Sequence, residues 1–378
     1  MSRIDELIAE RCPKGVEFKT LCEVLRIKNG KDHKALGDGD IPVYGSGGVM
    51  RYADTAAAEG PSVLIPRKGS LGNLFYVEGP FWVVDTIFRT EINLSLVEPK
   101  FLYHQLLTMG LGGMNQAGGV PSQTQSVLNL LRIPVPPLEI QREIVRILDT
   151  FTELEAELET ELEARTTQYE ETRNSLLSLD GDLTGHPLAE LIAERCPNGV
   201  EFKTLGDVAS VGTGSSDRKD ASDGGEFPFY VRSKNVLRID SYEFDEDAIL
   251  IPGEGGIGEI FHFVSGKYAL HQRAYRISFK TPDIDTKFAY YVFSVHFRKF
   301  ILQKAVSATV TSIRKPMITD FQIPVPPLEI QREIVRILDK FDALVNDLSV
   351  GLPAEIAARR KQYEYYRDRL LSFEELAG

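Results

Sequence analysis

The strongest constraint on this chain is an internal repeat: residues 133–149 read IPVPPLEIQREIVRILD, and residues 323–339 read the same 17 letters again. A second pair nearly matches, LIAERCPKGVEFKTL at 7–21 and LIAERCPNGVEFKTL at 191–205, differing only at Lys14 against Asn198. The chain is therefore two halves of one design. The spacing between matching residues is 184 at Leu7/Leu191, 186 from Ile41/Phe227 through Phe75/Phe261, 190 at Ile133/Ile323 and 194 at Gln168/Gln362, so the second copy carries small insertions. Identity confined to anchors, with drift between them, describes a molecule that needs two identical surfaces and two different ones.

The unit reads as a variable domain, a proline-rich hinge and a long helix, then repeats. This places a variable domain at 1–132, a hinge and first long helix at 133–180, a second variable domain at 181–322, and a hinge and second long helix at 323–378. After each IPVPP the prolines set an extended entry and the sequence turns helical. Ile140, Ile144, Ile147, Phe151, Leu154 and Leu158 alternate by four and three, and Leu162, Tyr169 and Leu176 continue after a phase shift. That is a coiled-coil seam. The second copy repeats it from Ile330 to Leu348, but Gly351-Leu352-Pro353 predicts a break there that the first copy lacks. A helix from Leu138 to Ser178 would be roughly 60 Å long. One apolar stripe on such a helix needs a partner, and its own repeat packed antiparallel supplies one, with a pseudo-twofold axis and a variable domain at each end of a rod.

The variable domains read as strand-rich, with VLIP, LFYV and FWVV in the first and AILIP, EIFHFV and KYAL in the second, each set followed by a helical stretch, FLYHQLL and KFAYYVFSVHFRKFI. The expected fold class is α+β: two strand-rich domains joined by two long antiparallel coiled-coil helices with pseudo-twofold symmetry. Aligned without gaps at offset 186, Pro42, Tyr44, Pro66, Gly69, Gly72 and Phe75 meet Pro228, Tyr230, Pro252, Gly255, Gly258 and Phe261. The letters between them differ. GSGGVMR faces VRSKNVL, PRKGS faces PGEGG, and DTIFR (85–89) faces HQRAY (271–275). Differences concentrated in the turns of a shared scaffold suit two binding specificities.

A net charge of -12 argues against a polyanionic partner until it is located. Residues 1–131 carry 13 basic against 14 acidic side chains, 132–190 carry 5 against 14, 191–321 carry 17 against 17, and 322–378 carry 8 against 10. The acid sits in one helical segment. Two near-neutral domains can still present basic faces, although steering by the whole molecule is weak. No 18-residue apolar run exists and the start has no signal-peptide core, so no membrane is expected and the default compartment is the cytosol.

Enzymatic signatures are missing from the letters. Cys12, Cys22 and Cys196 form no CxxC, the six histidines (33, 104, 186, 262, 271, 296) show no metal-ligand spacing, and no GxSxG, GxxxxGK[ST] or HExxH occurs. GEGGIG at 253–258 formally matches a dinucleotide fingerprint. EIFHFV after it reads as a strand, whereas a pyrophosphate needs a helix N-terminus, so a tight turn is the expectation. What the turns do hold is cations, Lys28, Lys31, Lys34, Arg51, Arg67 and Lys68 in copy one and Arg218, Lys219, Arg232, Lys234, Arg238, Arg273, Arg314 and Lys315 in copy two. With polar neighbours, including GGVPSQTQS (118–126) and SATVTSIRK (307–315), they suit contacts to phosphates and base edges.

At the duplicated IPVPPLEIQREIVRILD and heptad helix, with IPVYGSGG (41–48) and QYEYYRDRLLSF (362–373), the chain resembles the specificity subunit of type I restriction-modification systems across essentially its whole length. The resemblance implies a non-catalytic subunit that reads a bipartite site in double-stranded DNA, one half per target recognition domain. It implies two docked methyltransferase subunits, and restriction subunits with an ATP-driven motor on that core. It places S-adenosylmethionine, ATP and magnesium on those partners and no cofactor or metal on this chain. The candidate DNA contacts are Tyr44, Ser46, Arg51, Arg67, Lys68, Arg89, Tyr230, Arg232, Lys234, Arg238, Arg273, Arg314 and Lys315. The candidate partner contacts are Leu138, Ile140, Gln141, Ile144, Leu328, Ile330, Gln331 and Ile334. The competing expectation is a coiled-coil assembly scaffold whose end domains bind protein.

Overall fold

The structure, a computed structural model, describes residues 3–114, 119–178, 187–304 and 312–376. Gly118, residues 307–311 of the second polar stretch and His186 lie outside the described residues. The chain divides into two compact units, Met1–Glu159 with Glu355–Gly378, and Thr160–Ala354. Each unit therefore holds one variable domain, the helix that follows it, and a helical stretch from the other copy.

In the first unit the variable domain folds as two four-stranded sheets. One runs in the order Leu25–Asn29, Ile87–Ile92, Ser62–Pro66, Phe75–Val77, all antiparallel. The other runs Gly48–Ala53, Ile41–Gly45, Pro80–Val83, Ala58–Glu59, with the central pair parallel. The strand Ser62–Pro66 is buried along its whole length, which is why VLIP is an unbroken apolar run rather than an alternating one. Behind it the helix Pro99–Thr108 starts on Glu98, whose side chain accepts the Phe101 N–H at 2.9 Å, and brings Phe101, Leu102 and Leu106 into a core shared with Ile140, Ile144 and Leu148. The short pair Phe18–Thr20 and Arg132–Pro134 ties the start of the domain to the hinge. The C-terminal stretch returns to this unit: Phe151 stacks on Tyr366 at 5.4 Å, Arg360 pairs with Glu155 and Glu159, and Glu375 bridges to Val16. Partners that descend in one helix as they ascend in the other are antiparallel.

The second unit repeats the plan. Its sheets run Ala209–Thr213, Ala274–Phe279, Ala248–Pro252, His262–Val264 and Leu237–Ile239, Phe227–Tyr230, Lys267–Leu270, Phe244–Asp245. The helix Thr286–Lys304 packs on Leu328–Asn346, and Tyr169 of the long helix stacks on Phe341 at 6.3 Å. The long first helix runs unbroken over Leu138–Ser178, whereas its counterpart is two helices, Leu328–Asn346 and Leu352–Leu370. Gly351 sits at the break, where an added Cβ would meet the Ala343 carbonyl oxygen at 2.4 Å. The break expected at Gly-Leu-Pro is thus present.

Strand register corrects the gapless alignment. Leu64 pairs with Phe75 and Leu250 with His262, and Pro66 pairs with Ile87 where Pro252 pairs with Ala274. Beyond the glycine turn the copies are thus offset by one further residue. Phe75 corresponds to His262 rather than Phe261, and DTIFR faces QRAYR (272–276) rather than HQRAY. The extra residue is taken up between Gly255 and His262, and GEGGIG is part of a turn leading into the strand His262–Val264, with no helix after it.

Candidate nucleic-acid interface

In the first unit three turns that are far apart in sequence are hydrogen-bonded into one surface. The Arg67 and Lys68 backbone N–H groups donate to Thr86 O at 2.8 and 3.2 Å, Gly69 N–H donates to Pro121 O at 2.9 Å, and Gln123 N–H donates to Arg67 O at 3.0 Å. The buried Gln123 closes the seam through Nε2 to Pro66 O at 2.5 Å. Gly69, at φ +83°, allows the turn to fold back where a side chain would be strained and close to Ser46. Asn73 reaches Ser46 O at 3.3 Å, so the 45–48 hairpin tip joins the same cluster. The Arg67 guanidinium lies 5.8 Å above the Phe88 ring, and Lys68 is exposed with no ion pair among the described residues.

The second unit builds the same surface from equivalent positions. Gly253 N–H donates to Arg273 O and Ile313 N–H to Gly253 O, both at 2.9 Å, and Glu254 bridges to Ser312 as Lys68 bridges to Ser122. Gly255, the counterpart of Gly69, has φ +68°. The charges have moved, however. Where unit one has Arg67 and Lys68, unit two has Gly253 and Glu254; where unit one has Ser46 and Thr86, unit two has Arg232 and Arg273. Both guanidiniums hold Glu254 Oε2, at 3.1 and 3.2 Å, beside a cleft of about 240 Å3 lined by Arg218, Arg232, Ser233, Glu254 and His271. Burial, and then the Arg232 charge, push the His271 imidazole down from its ordinary value, and its Nδ1 accepts the Arg273 N–H at 3.0 Å. Lys234, Arg314 and Lys315 are exposed around this surface.

Other sequence candidates are placed differently. Arg51 lies in the strand Gly48–Ala53 and folds back on Asp38 at 2.7 Å and on the Leu36 and Gly37 carbonyls. Arg89 lies mid-strand, paired to Glu91 at 2.9 Å, and Arg238 lies in Leu237–Ile239, spent on the Gly225 and Glu226 carbonyls at 3.0 and 2.6 Å. These three are strand residues rather than turn residues. Tyr44 and Tyr230 are half-buried framework, with ring centroids 5.7 Å from Phe75 and 5.1 Å from His262 at equivalent positions.

The helix candidates require a correction. Ile140, Gln141 and Ile144, and likewise Ile330, Gln331 and Ile334, are fully buried inside their own units, leaving only Leu138 and Leu328 partly exposed. Gln141 accepts the Glu98 N–H at 2.8 Å and donates to Leu96 O and Pro136 O at 2.9 and 2.7 Å. Gln331 makes the same three bonds to Asp285 N–H, Asp283 O and Pro326 O, at 2.8, 2.8 and 2.6 Å. The repeated glutamine is a knot between hinge, helix and domain. What the repeat shows to solvent is Glu139, Arg142 and Arg146, matched by Glu329, Arg332 and Arg336. The polar letters inside the 17-residue phrase were the available signal for that face.

Comparison with known proteins is consistent across the chain. A family model, type I restriction modification DNA specificity domain, matches residues 13–165 and again 197–358. The chain is similar to a type I restriction enzyme specificity subunit of Haemophilus influenzae, 30% identical with 95% of this chain and 96% of that one covered. It is also similar to a type I restriction enzyme specificity subunit of Escherichia coli, 33% identical over 72% of this chain and 70% of the relative. Among solved structures, the type I restriction-modification S subunit from M. genitalium superposes with a TM-score of 0.64 at 16% identity, covering 94% of this chain and 96% of the other. The HsdS subunit from Thermoanaerobacter tengcongensis superposes at 0.52 and 18% identity, over 95% of this chain and 97% of that one.

Proposed function

The chain belongs to the type I restriction-modification specificity subunits, and from that premise we propose that each unit reads one half of a bipartite DNA site with its clustered turns. The observation that carries the assignment of surfaces is the equivalence of the two clusters: one hydrogen-bonded scaffold, two arrangements of charge. In the first domain the reading groups are Ser46, Arg67 and Lys68; in the second they are Arg232, Lys234, Arg273, Arg314 and Lys315. Cations on turns contact phosphates for position and base edges for identity.

The identical exposed faces Glu139/Arg142/Arg146 and Glu329/Arg332/Arg336 are the surfaces offered to two copies of one partner, a methyltransferase subunit. S-adenosylmethionine, ATP and magnesium belong to the partner subunits in this reading. Its test is mapping of methylated adenines in the host genome with and without this chain. Methylation lost at a two-part sequence with a fixed gap supports the reading, and an unchanged methylation map refutes it.

A further inference from the structure

In the second domain Glu254 occupies the place that Lys68 holds in the first, and both Arg232 and Arg273 donate to its Oε2, at 3.1 and 3.2 Å. A carboxylate is a poor neighbour for a phosphate, so its presence at the centre of the basic cluster argues against a backbone contact. All three side chains are accessible, at 40% for Arg232, 44% for Glu254 and 58% for Arg273, and exposed ion pairs of this kind cost little to open. Each guanidinium carries five N–H donors, so one bond to Glu254 leaves others for a ligand. The cluster therefore presents a row of donor, acceptor, donor.

Major-groove edges differ in this respect. An A·T pair offers adenine N7 as acceptor, adenine N6 as donor and thymine O4 as acceptor, whereas G·C offers two acceptors and then a donor. Only A·T, in either strand orientation, is complementary to a carboxylate flanked by two guanidiniums. We infer that Glu254, held between Arg232 and Arg273, selects an A·T pair in the half-site read by the second domain. Lys68 at the equivalent place has donors only, and the first domain has no such row there.

The inference rests on the DNA-recognition reading above, and the test separates the two. The full chain, assembled with its methyltransferase subunits, is used to select from duplexes randomised in both half-sites. Wild type should fix an A·T pair that Glu254→Leu, which removes the acceptor, relaxes by about tenfold in discrimination, at that position alone. Glu254→Lys, which installs the first domain's residue, should move the same position toward a guanine-bearing pair, since guanine N7 and O6 both accept. A change in affinity that is equal on every duplex would make Glu254 a modulator of phosphate contact and overturn the inference. So would a G·C pair at the position that Glu254 controls. Wild type selecting no sequence at all would instead overturn the recognition reading itself, before any variant is made.

Discussion

Replacing Gln141 with leucine tests the claim that the repeated phrase is held by a buried polar knot. Gln141 is fully buried, and its three bonds satisfy the Glu98 N–H and the Leu96 and Pro136 carbonyls. Leucine fills similar volume but leaves all three backbone groups unpaired. A buried unsatisfied group costs about 1–3 kcal/mol, and water reaches the two groups nearer the surface, so the net loss should be about 3 kcal/mol after the added apolar burial is counted. For a unit of this size that corresponds to a fall of roughly 6–12 °C in the melting transition of the first unit. Gln141→Glu keeps an acceptor for Glu98 but sets a carboxylate against two carbonyls. It should be at least as damaging at neutral pH and recover on acidification, as the protonated carboxyl regains one donor. Chemical denaturation followed by a probe in each unit, with Gln331→Leu as the mirror experiment, reads both. A Gln141→Leu protein within about 0.5 kcal/mol of wild type would refute the knot.

Two further outcomes follow from the same geometry. His104 is buried between Tyr363 and Asp149, its Nε2 3.8 Å from Asp149 Oδ1, and burial pushes its pKa down to about 4. Because the folded value lies below the unfolded one, stability should be lost as pH falls from the ordinary histidine value toward 4, by about 3 kcal/mol in all; His104→Tyr, the residue at the equivalent position 291, should flatten that acid limb in pH-dependent denaturation, and an unchanged limb would contradict it. Arg67→Ala with Lys68→Ala should weaken binding through one half-site only, and if both cations meet phosphates the slope of log affinity against log salt should shrink by roughly 2; equal losses on duplexes altered in either half would count against the assignment.

Much of this fold is legible in the letters because it is written twice. The unbroken apolar runs at 63–66 and 248–252, the 4-3 spacing after IPVPP and the Gly-Leu-Pro interruption each have one physical solution, and the structure adopts it. The misreadings share a cause. Periodicity puts Ile140 and Ile144 on an apolar face but does not say what covers it, so with Gln141 they read as partner contacts; here their own domain covers all three. Lys28, Arg51 and Arg238 read as turn cations in the letters but lie in strands, as does the candidate contact Arg89, because strands of three to six residues give too short a pattern to bound. The one-residue shift after Gly255 shows in the strand pairing, because strands this short leave the apolar pattern compatible with either register.

That shift changes which side chains share a place in the two recognition surfaces. With the gapless alignment Arg273 faces an apolar residue, Ile87, and its charge looks incidental. With the observed register it faces Thr86, whose carbonyl takes the Arg67 and Lys68 N–H groups, and Arg273 O takes the Gly253 N–H in the same way. Two backbone bonds at this point are shared: Arg67 N–H to Thr86 O with Gln123 N–H to Arg67 O, and Gly253 N–H to Arg273 O with Ile313 N–H to Gly253 O, close the turns whichever side chains are present. Side chains are thus free to exchange sign at one site and recover it at another, Lys68 to Glu254 and Thr86 to Arg273, without disturbing the seam that holds them. A recognition surface built this way can drift as far as its ligand demands, while the glutamine knot and the proline hinge, which have no such freedom, stay letter for letter the same.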